Sequence, residues 1–463
     1  VAHAITIPHG FTPRPYQRRA MAYVDGGGKR VFWVVHRRGG KDLTFLHQTA
    51  KEALRRRGVY WHVFPSLEQG RKAIWEGFTK DGDRIMEQVF PREIRKRPRE
   101  WLPGAEAIVE LKNGSIWRLM GSDQMEVVGA GPVGIVFSEF ALAKPKTWDL
   151  VRPMLQENGG WAAFITTPRG KNHAHKLMET AKREGWFCET LTLDDTGAWR
   201  EWTDSNGNPY TSAQGVRDAE ARAGMPPALI RQEYDCDWSA ANVGAVYGDL
   251  IETVEKRGGV LSFDHPADGI FTIWDLGFTD STGVWFWRVG AEGIDVVDHY
   301  EASGKPLSHY FDIVDGKGYE YVKHWIPHDA RARTLASGSS IQEQFWAKYG
   351  AGSTAVVPSL SLLDGIQAAR WLLQRPIRFH SRCADGLEAL RAYSYAYDED
   401  RKAFSSKPLH DWSSHTADAF RYLGIVAKHT EAIQRPTPPP AKPARKAVTL
   451  NDLVAPRRDN WRI

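Results

Sequence analysis

Cysteine is scarce: three residues in 463, Cys188, Cys236 and Cys383, stand far apart and in no CxxC pair. That scarcity excludes a disulfide framework and a cysteine zinc site, and it fits a reducing compartment. Long apolar runs are missing too, and none reaches the roughly 18 residues that a membrane-spanning helix needs. Val1–Pro15 is too polar and too interrupted by proline for a secretory signal. There is no internal repeat. Charge of one sign is also lacking over most of the chain. The net charge is +5, and the segment Arg435–Ile463 alone, with seven basic residues against two acidic ones, holds an excess of that size. The body is formally neutral, so bulk charge does not argue for tight non-specific binding to a polyanion. Any such track must come from local patches.

What is present suits a chain of two or three domains. Hydrophobic residues make up 42% and charged residues 25%, the balance of a folded chain with sizeable cores. Up to about Thr196, β-type runs alternate with helical stretches, the rhythm of a three-layer α/β domain. Arg30–His36, Val59–Phe64, Gly134–Phe137 and Ala162–Thr166 are the clearest strands. Gly197–Pro209 is turn-forming, and Ser212–Tyr234 predicts a helical bridge, so 197–245 forms a linker. A second domain, 246–430, opens with strands Ile270–Asp275, Gly283–Val289 and Ile294–Tyr300, then a helix, a strand (Glu320–Pro327) and more helix. Residues 431–463, with their PTPPPAKPARK run, cannot bury a core and are expected to form a flexible basic tail.

Arg30–His36 runs into Arg37-Arg38-Gly39-Gly40-Lys41-Asp42 and then a helix-compatible segment. Strand, glycine-rich turn, lysine and helix make a phosphate cradle, with backbone N–H groups and the helix start meeting the phosphates. An ordinary exposed turn has the same local appearance. Three further features shift the balance. A buried-type strand ends in Ser138-Glu139, where a carboxylate can orient an attacking water. Another strand ends in Thr166-Thr167-Pro168-Arg169-Gly170, paired hydroxyls at a tight turn. Gln17, before the first helix, can meet both hydrogen-bonding edges of adenine. In the second domain Asp275 ends a strand, Asp329 follows another in WIPHDAR, and Asp418 lies in HTADAFRYLG at helical spacing. Carboxylates so placed can hold divalent ions that activate water at a phosphodiester, and they suit Mg²⁺ or Mn²⁺. Singly, each also fits a bland role: turn residue, helix cap, exposed helix residue. Asp280 and Asp411 are second-tier candidates, while His410 and His415 are expected to be polar loop residues. Arg92–Glu100 is locally basic, either a phosphate contact or a solvated face. Most of the nineteen tryptophans are expected in the core.

Gln17, the arginines before Gly39-Gly40-Lys41, the strand ending at Glu139 and the TTPRG segment together resemble the ATPase of a tailed-bacteriophage large terminase subunit. Arg231-Gln232-Glu233-Tyr234, Asp364–Arg370 and above all His410–His415 extend the resemblance over most of Val246–His429. It implies a P-loop NTPase domain (1–196) followed by a ribonuclease-H-like α/β nuclease domain. It assigns phosphate to Lys41, water activation to Glu139, coupling to Thr166–Thr167, adenine to Gln17, and a charge-stabilising arginine in cis to Arg37 or Arg38. Asp275, Asp329 and Asp418 become metal ligands. It further implies ATP with Mg²⁺, a Mg²⁺- or Mn²⁺-dependent nuclease, and double-stranded DNA as substrate. Expected partners are a portal protein on a procapsid, a small terminase subunit and further copies of the chain. The implied place is the host cytoplasm, docked at the portal, with no membrane. Two departures stand out. The family carries Ser or Thr after the lysine and Asp before the glutamate, whereas this chain has Asp42 and Ser138, as if carboxylate and hydroxyl had changed places around the magnesium. In the loop Gly121–Gly131 it has Val128-Gly129 where many members have arginine before glycine. The rivals are another ATP-dependent helicase-nuclease, for which no strand-separating motif follows Thr167, and a non-catalytic DNA-binding scaffold.

Overall fold

Val31, Trp33 and Val35 alternate with Phe32 and Val34 along one strand, and the two sets are buried in different cores. A strand covered on both faces must be apolar throughout, and it belongs in the middle of a three-layer domain. The computed structural model describes residues 10–96, 107–123, 125, 131–239, 244–277, 281–331, 339–398 and 403–429. Its first sheet is built from β1 (Arg30–Val35), β2 (Val59–Phe64), β3 (Ile108–Glu110), β4 (Ile116–Gly121), β5 (Gly134–Ser138), β6 (Trp161–Thr166) and β7 (Phe187–Leu191). The order is β3-β4-β2-β5-β6-β1-β7, parallel except for the β3–β4 pair. Helices Pro15–Asp25 and Lys41–Arg55 supply residues to one core, Lys146–Glu157 and His173–Arg183 to the other. Parallel strands end together, so the turns after β1, β6 and β5 share one edge.

The second sheet contains β8 (Val260–Leu261), β9 (Ile270–Asp275), β10 (Ser281–Val289), β11 (Ile294–Ser303), β12 (Tyr321–Ile326), β13 (Thr354–Val356) and β14 (Ile377–His380). Its order is β13-β12-β9-β10-β11-β14-β8. The antiparallel meander β9-β10-β11 continues through parallel β12 and β13, the ribonuclease-H-like arrangement, with β14 and β8 added at the far edge. Helices Leu362–Leu373 and Ser414–His429 cover one face, and Leu307–Gly316 and Ile341–Tyr349 the other. A hairpin of β15 (Tyr395–Asp398) and β16 (Ala403–Pro408) stands apart. Trp33, Trp75, Trp117, Trp274, Trp285 and Trp287 are fully buried.

The expected single helix Ser212–Tyr234 is two helices, Ala213–Arg222 and Pro227–Tyr234. Gly224 between them has φ +95, and Pro226-Pro227 cannot continue a helix from the preceding turn. These helices and the chain before them enclose a small core of Leu193, Val216, Met225, Leu229 and Tyr234. Arg97–Glu100, Val128-Gly129, Asp280 and residues 430–463 lie outside the described residues.

Candidate active sites

The first site begins with backbone geometry. Gly39 lets the chain fold close to β1: a Cβ there would stand 2.4 Å from Val35 Cγ1. Gly40 has φ +74, a left-handed conformation that glycine adopts without strain. Arg38, at φ +58, adopts it at a cost. The helix Lys41–Arg55 then starts without a side-chain cap, leaving N–H groups for an anion.

Three strands converge on Lys41. Its ammonium lies 2.8 Å from Glu139 Oε1 and donates to Thr167 Oγ1 at 3.1 Å. Burial works against the lysine's charge, but Glu139 and Asp42 outweigh it and raise the pKa. Glu139 has φ +46, and its Oε2 is buried without a hydrogen-bond partner. The Thr167 hydroxyl donates to the Val35 carbonyl at 3.2 Å, and Thr166 Oγ1 accepts from the Ala141 N–H at 3.1 Å. The paired threonines thus tie β6 to β1 and to the turn after β5.

Asp42 and Ser138 are in direct contact, the serine hydroxyl donating to Asp42 Oδ1. His62 on β2 stands 3.6 Å from that oxygen. Burial raises the Asp42 pKa, yet His62, Lys41 and Ser138 hold it below the usual carboxylate range. An ionised carboxylate beside a hydroxyl, at the foot of the lysine, is a hard-oxygen donor pair that fits Mg²⁺.

A cavity of about 1220 Å³ opens over these groups. Arg37, Arg38, Lys41, Asp42, Glu139 and Thr167 line its floor, while Ser394, Tyr395, Phe404 and Leu409 of the second domain form part of its wall. Gln17 lies against the phosphate loop. Its Oε1 accepts from the Arg14 N–H at 2.8 Å and its Nε2 donates to the Gly39 carbonyl at 3.4 Å. The capping box of the first helix engages the amide expected to meet adenine, and through it Gln17 braces the phosphate loop. Tyr16 adds to the brace through its hydroxyl, 2.9 Å from the same carbonyl.

Sequence reasoning missed a further cation here. Arg169 is ion-paired with Glu233 of the helix Pro227–Tyr234, and that helix also receives the Arg37 N–H on the Glu233 carbonyl at 2.7 Å. The TTPRG motif draws attention to Arg169. Nothing local announces Glu233 as its partner.

The second site lies where β9 and β12, parallel neighbours, end side by side. Asp275 closes β9, Asp329 sits exposed in the turn His328–Arg331, and Asp418 projects from Ser414–His429. All three charges bear on Tyr422, whose hydroxyl is pushed up to about 12, first by burial and then by Asp275, Asp418 and Asp329. They are neighbours without forming a ligand set: among the described residues, no three His, Cys, Asp or Glu side chains stand close enough to hold a metal ion. Two of the three carboxylates are engaged by the protein's own side chains. Asp418 is bonded to Arg421 at 2.9 Å and Asp275 to His415 Nδ1 at 2.8 Å. Burial raises the Asp275 pKa, which His415 partly offsets.

His415, expected in a polar loop, is in the first turn of a helix and against Asp275. Asp411 closes a turn just before that helix, its Oδ1 accepting from the Ser413 N–H at 2.8 Å and the Ser413 hydroxyl at 2.6 Å. In the basic run, Arg95 is buried and bidentate to Glu87 at 2.8 and 2.6 Å, so it is not offered to a phosphate.

No family model matches the chain. The large terminase subunit of Escherichia phage T5 is 25% identical over 330 residues, covering 68% of this chain and 70% of that one. The large terminase subunit of Thermus phage G20c is 22% identical over 450 residues, 84% and 86% of the two chains. Among solved structures, the large terminase of a thermophilic bacteriophage in complex with ADP aligns with TM-score 0.39 and 15% identity, over 89% of this chain and 99% of that one. The HK97 bacteriophage large terminase gives 0.37 and 12%, over 90% and 94%. Superpositions this loose add nothing to the sheet orders above.

Proposed function

We propose, from the kinship of this chain with phage large terminase subunits, that it is a DNA-packaging motor and endonuclease. Its N-terminal α/β domain (1–196) hydrolyses ATP to drive double-stranded DNA through a portal into a procapsid. Its ribonuclease-H-like domain (246–430) cuts concatemeric DNA to start and end packaging. The observation that carries this proposal is the meeting of Lys41, Glu139 and Thr167 at the ends of three parallel strands, in one chain with a ribonuclease-H-type edge of acidic residues.

Lys41 is paired with Glu139. A triphosphate brings a denser negative charge to the same ammonium and draws it away from the glutamate. Glu139 then presents both carboxylate oxygens, Oε2 being already without a partner, to orient water and accept its proton. Thr167, bonded to Lys41 and to β1, registers that transfer, and Thr166 passes it to the turn after Glu139. Asp42 and Ser138 would hold the Mg²⁺ that screens the phosphates. A carboxylate beside a triphosphate is repulsive without that ion, so turnover is expected to be strictly metal-dependent. Asp275 and its neighbours have donors that suit Mg²⁺ or Mn²⁺. A small terminase subunit is the expected partner for choosing the DNA, and several copies of the chain are expected on the portal, in the host cytoplasm.

The test is a packaging assay with portal-bearing procapsids, linear duplex DNA and ATP. The expected result is DNase-protected DNA with the wild-type chain and none with Glu139→Ala. Equal protection by both would refute the motor assignment.

A further inference from the structure

Arg169 stands two residues after Thr167 and lines the cavity that holds Lys41 and Glu139. Its guanidinium is largely enclosed, and its ion partner Glu233 has a side chain only 4% exposed. Glu233 itself comes from outside the sheet, on the helix Pro227–Tyr234 of the bridge. Burial disfavours both charges, and each keeps the other ionised; Glu139 adds to the field on Arg169, Arg37 and Lys41 to that on Glu233. Two acceptors in the same cavity are left buried without partners, Glu139 Oε2 and Gln232 Oε1. The cavity is thus lined by charge and acceptors that the protein's own contacts do not fully satisfy.

A buried arginine–carboxylate pair adds little net stability, because taking both charges out of water offsets their attraction. Breaking such a pair is nevertheless costly, because it leaves a buried charge uncompensated, so only a more highly charged partner can draw the arginine away. A terminal phosphoryl group is one, since its oxygens match the planar guanidinium fork and carry more charge than a single carboxylate. Arg169 already lies beside the two side chains that would flank that group.

Building on the ATPase proposal, we infer that Arg169 is a further catalytic residue of the ATP site, which leaves Glu233 to bind the γ-phosphoryl oxygens. Until then Glu233 is its holding counter-ion. In the reaction the water oxygen forms a bond to the γ-phosphorus while the bond to the β,γ-bridging oxygen breaks. The electron pair leaves with ADP, and the water proton passes to Glu139. Arg169 takes no proton; it neutralises charge on the equatorial oxygens.

The test compares the full-length wild type with Arg169→Ala, Arg169→Lys and Glu233→Gln. It measures steady-state ATP turnover, melting temperature, and affinity for fluorescent ADP and fluorescent ATPγS. Arg169→Ala is expected to lower kcat by about a hundredfold or more and to weaken ATPγS binding while ADP affinity changes little. Arg169→Lys recovers part of the loss. Glu233→Gln, with the competing charge removed, acts in the other direction and lowers KM for ATP. A purely structural pair behaves differently, and three results would overturn the inference. They are a kcat of Arg169→Ala within about threefold of wild type, equal loss of ADP and ATPγS binding in that variant, or the same defect with the same fall in melting temperature in Arg169→Ala and Glu233→Gln. A wild-type chain that does not turn over ATP overturns the ATPase proposal itself, and this inference with it.

Discussion

The indole N–H of Trp412 donates to the backbone carbonyl of Leu142 at 2.8 Å, a bond between the two domains. Leu142 ends the turn that follows Glu139, and Trp412 stands three residues before His415, so one contact joins the neighbourhoods of both candidate sites. It is reinforced by Lys144 with Glu301 at 3.7 Å, whose other oxygen accepts from the Thr416 hydroxyl at 2.8 Å, and by Lys146 with Asp385 at 2.7 Å. Trp412→Phe keeps most of the packing and deletes the donor. The expected cost is about 1 kcal/mol, seen as a melting temperature lower by about 2–4 °C. No shift would mean that the bond contributes nothing to holding the domains together.

Asp42 and Ser138 touch, and this makes their exchange testable as a pair. Asp42→Ser leaves Ser138 without its acceptor and the proposed magnesium position without its carboxylate. Ser138→Asp places two carboxylates in contact, which repel. The double variant, with the groups traded, is expected to retain more ATPase activity than either single one, a non-additivity typical of contacting residues. Additive losses in kcat would contradict the exchange of metal-binding roles.

His415 holds the buried Asp275 at 2.8 Å. His415→Ala leaves that carboxylate without its ring partner, and plasmid cleavage is expected to fall at least about tenfold, the scale seen when a residue orienting a ligand is lost. ATP turnover, measured on the same preparation, is expected to stay near wild type. Loss of both activities together would point to a folding defect instead.

How much of this was legible in the sequence follows from where the partners lie. The central strands β1, β2, β5, β6 and β9 through β11 were legible because burial on both faces makes each largely a run of apolar and β-branched residues, and β12 was legible from Tyr321, Val322, Trp325 and Ile326 although Val322 is exposed. Short or half-exposed strands such as β7 and β14 carry no such signal, and they escaped. The phosphate loop was legible because its parts are consecutive. Glu233 was not, since it meets Arg169 across 64 residues, nor was Trp412, whose acceptor lies 270 residues away. Nor was the role of His415, whose partner Asp275 is 140 residues distant. Gln17 shows the same limit from the other side: the right residue near the right loop, with its amide already engaged.

Acid sensitivity has a defined origin. His36 and His324 are buried and pulled down to about 4 by that burial. Both lie below the ordinary value of about 6.5, so the unfolded chain binds the proton more readily than the folded one. The stability each contributes is complete above pH 6.5 and is lost as pH falls toward 4. The melting temperature is therefore expected to drop steadily from pH 6.5 to 4, and a flat profile across that window would show that these rings are not held neutral.

The central claim is that one chain carries two separable active sites. The most direct measurement is ATP turnover and Mn²⁺-dependent plasmid cleavage, side by side, for wild type, Glu139→Ala and Asp275→Ala. The account predicts loss of turnover alone in the first variant and loss of cleavage alone in the second. Variants that retain both activities would contradict it.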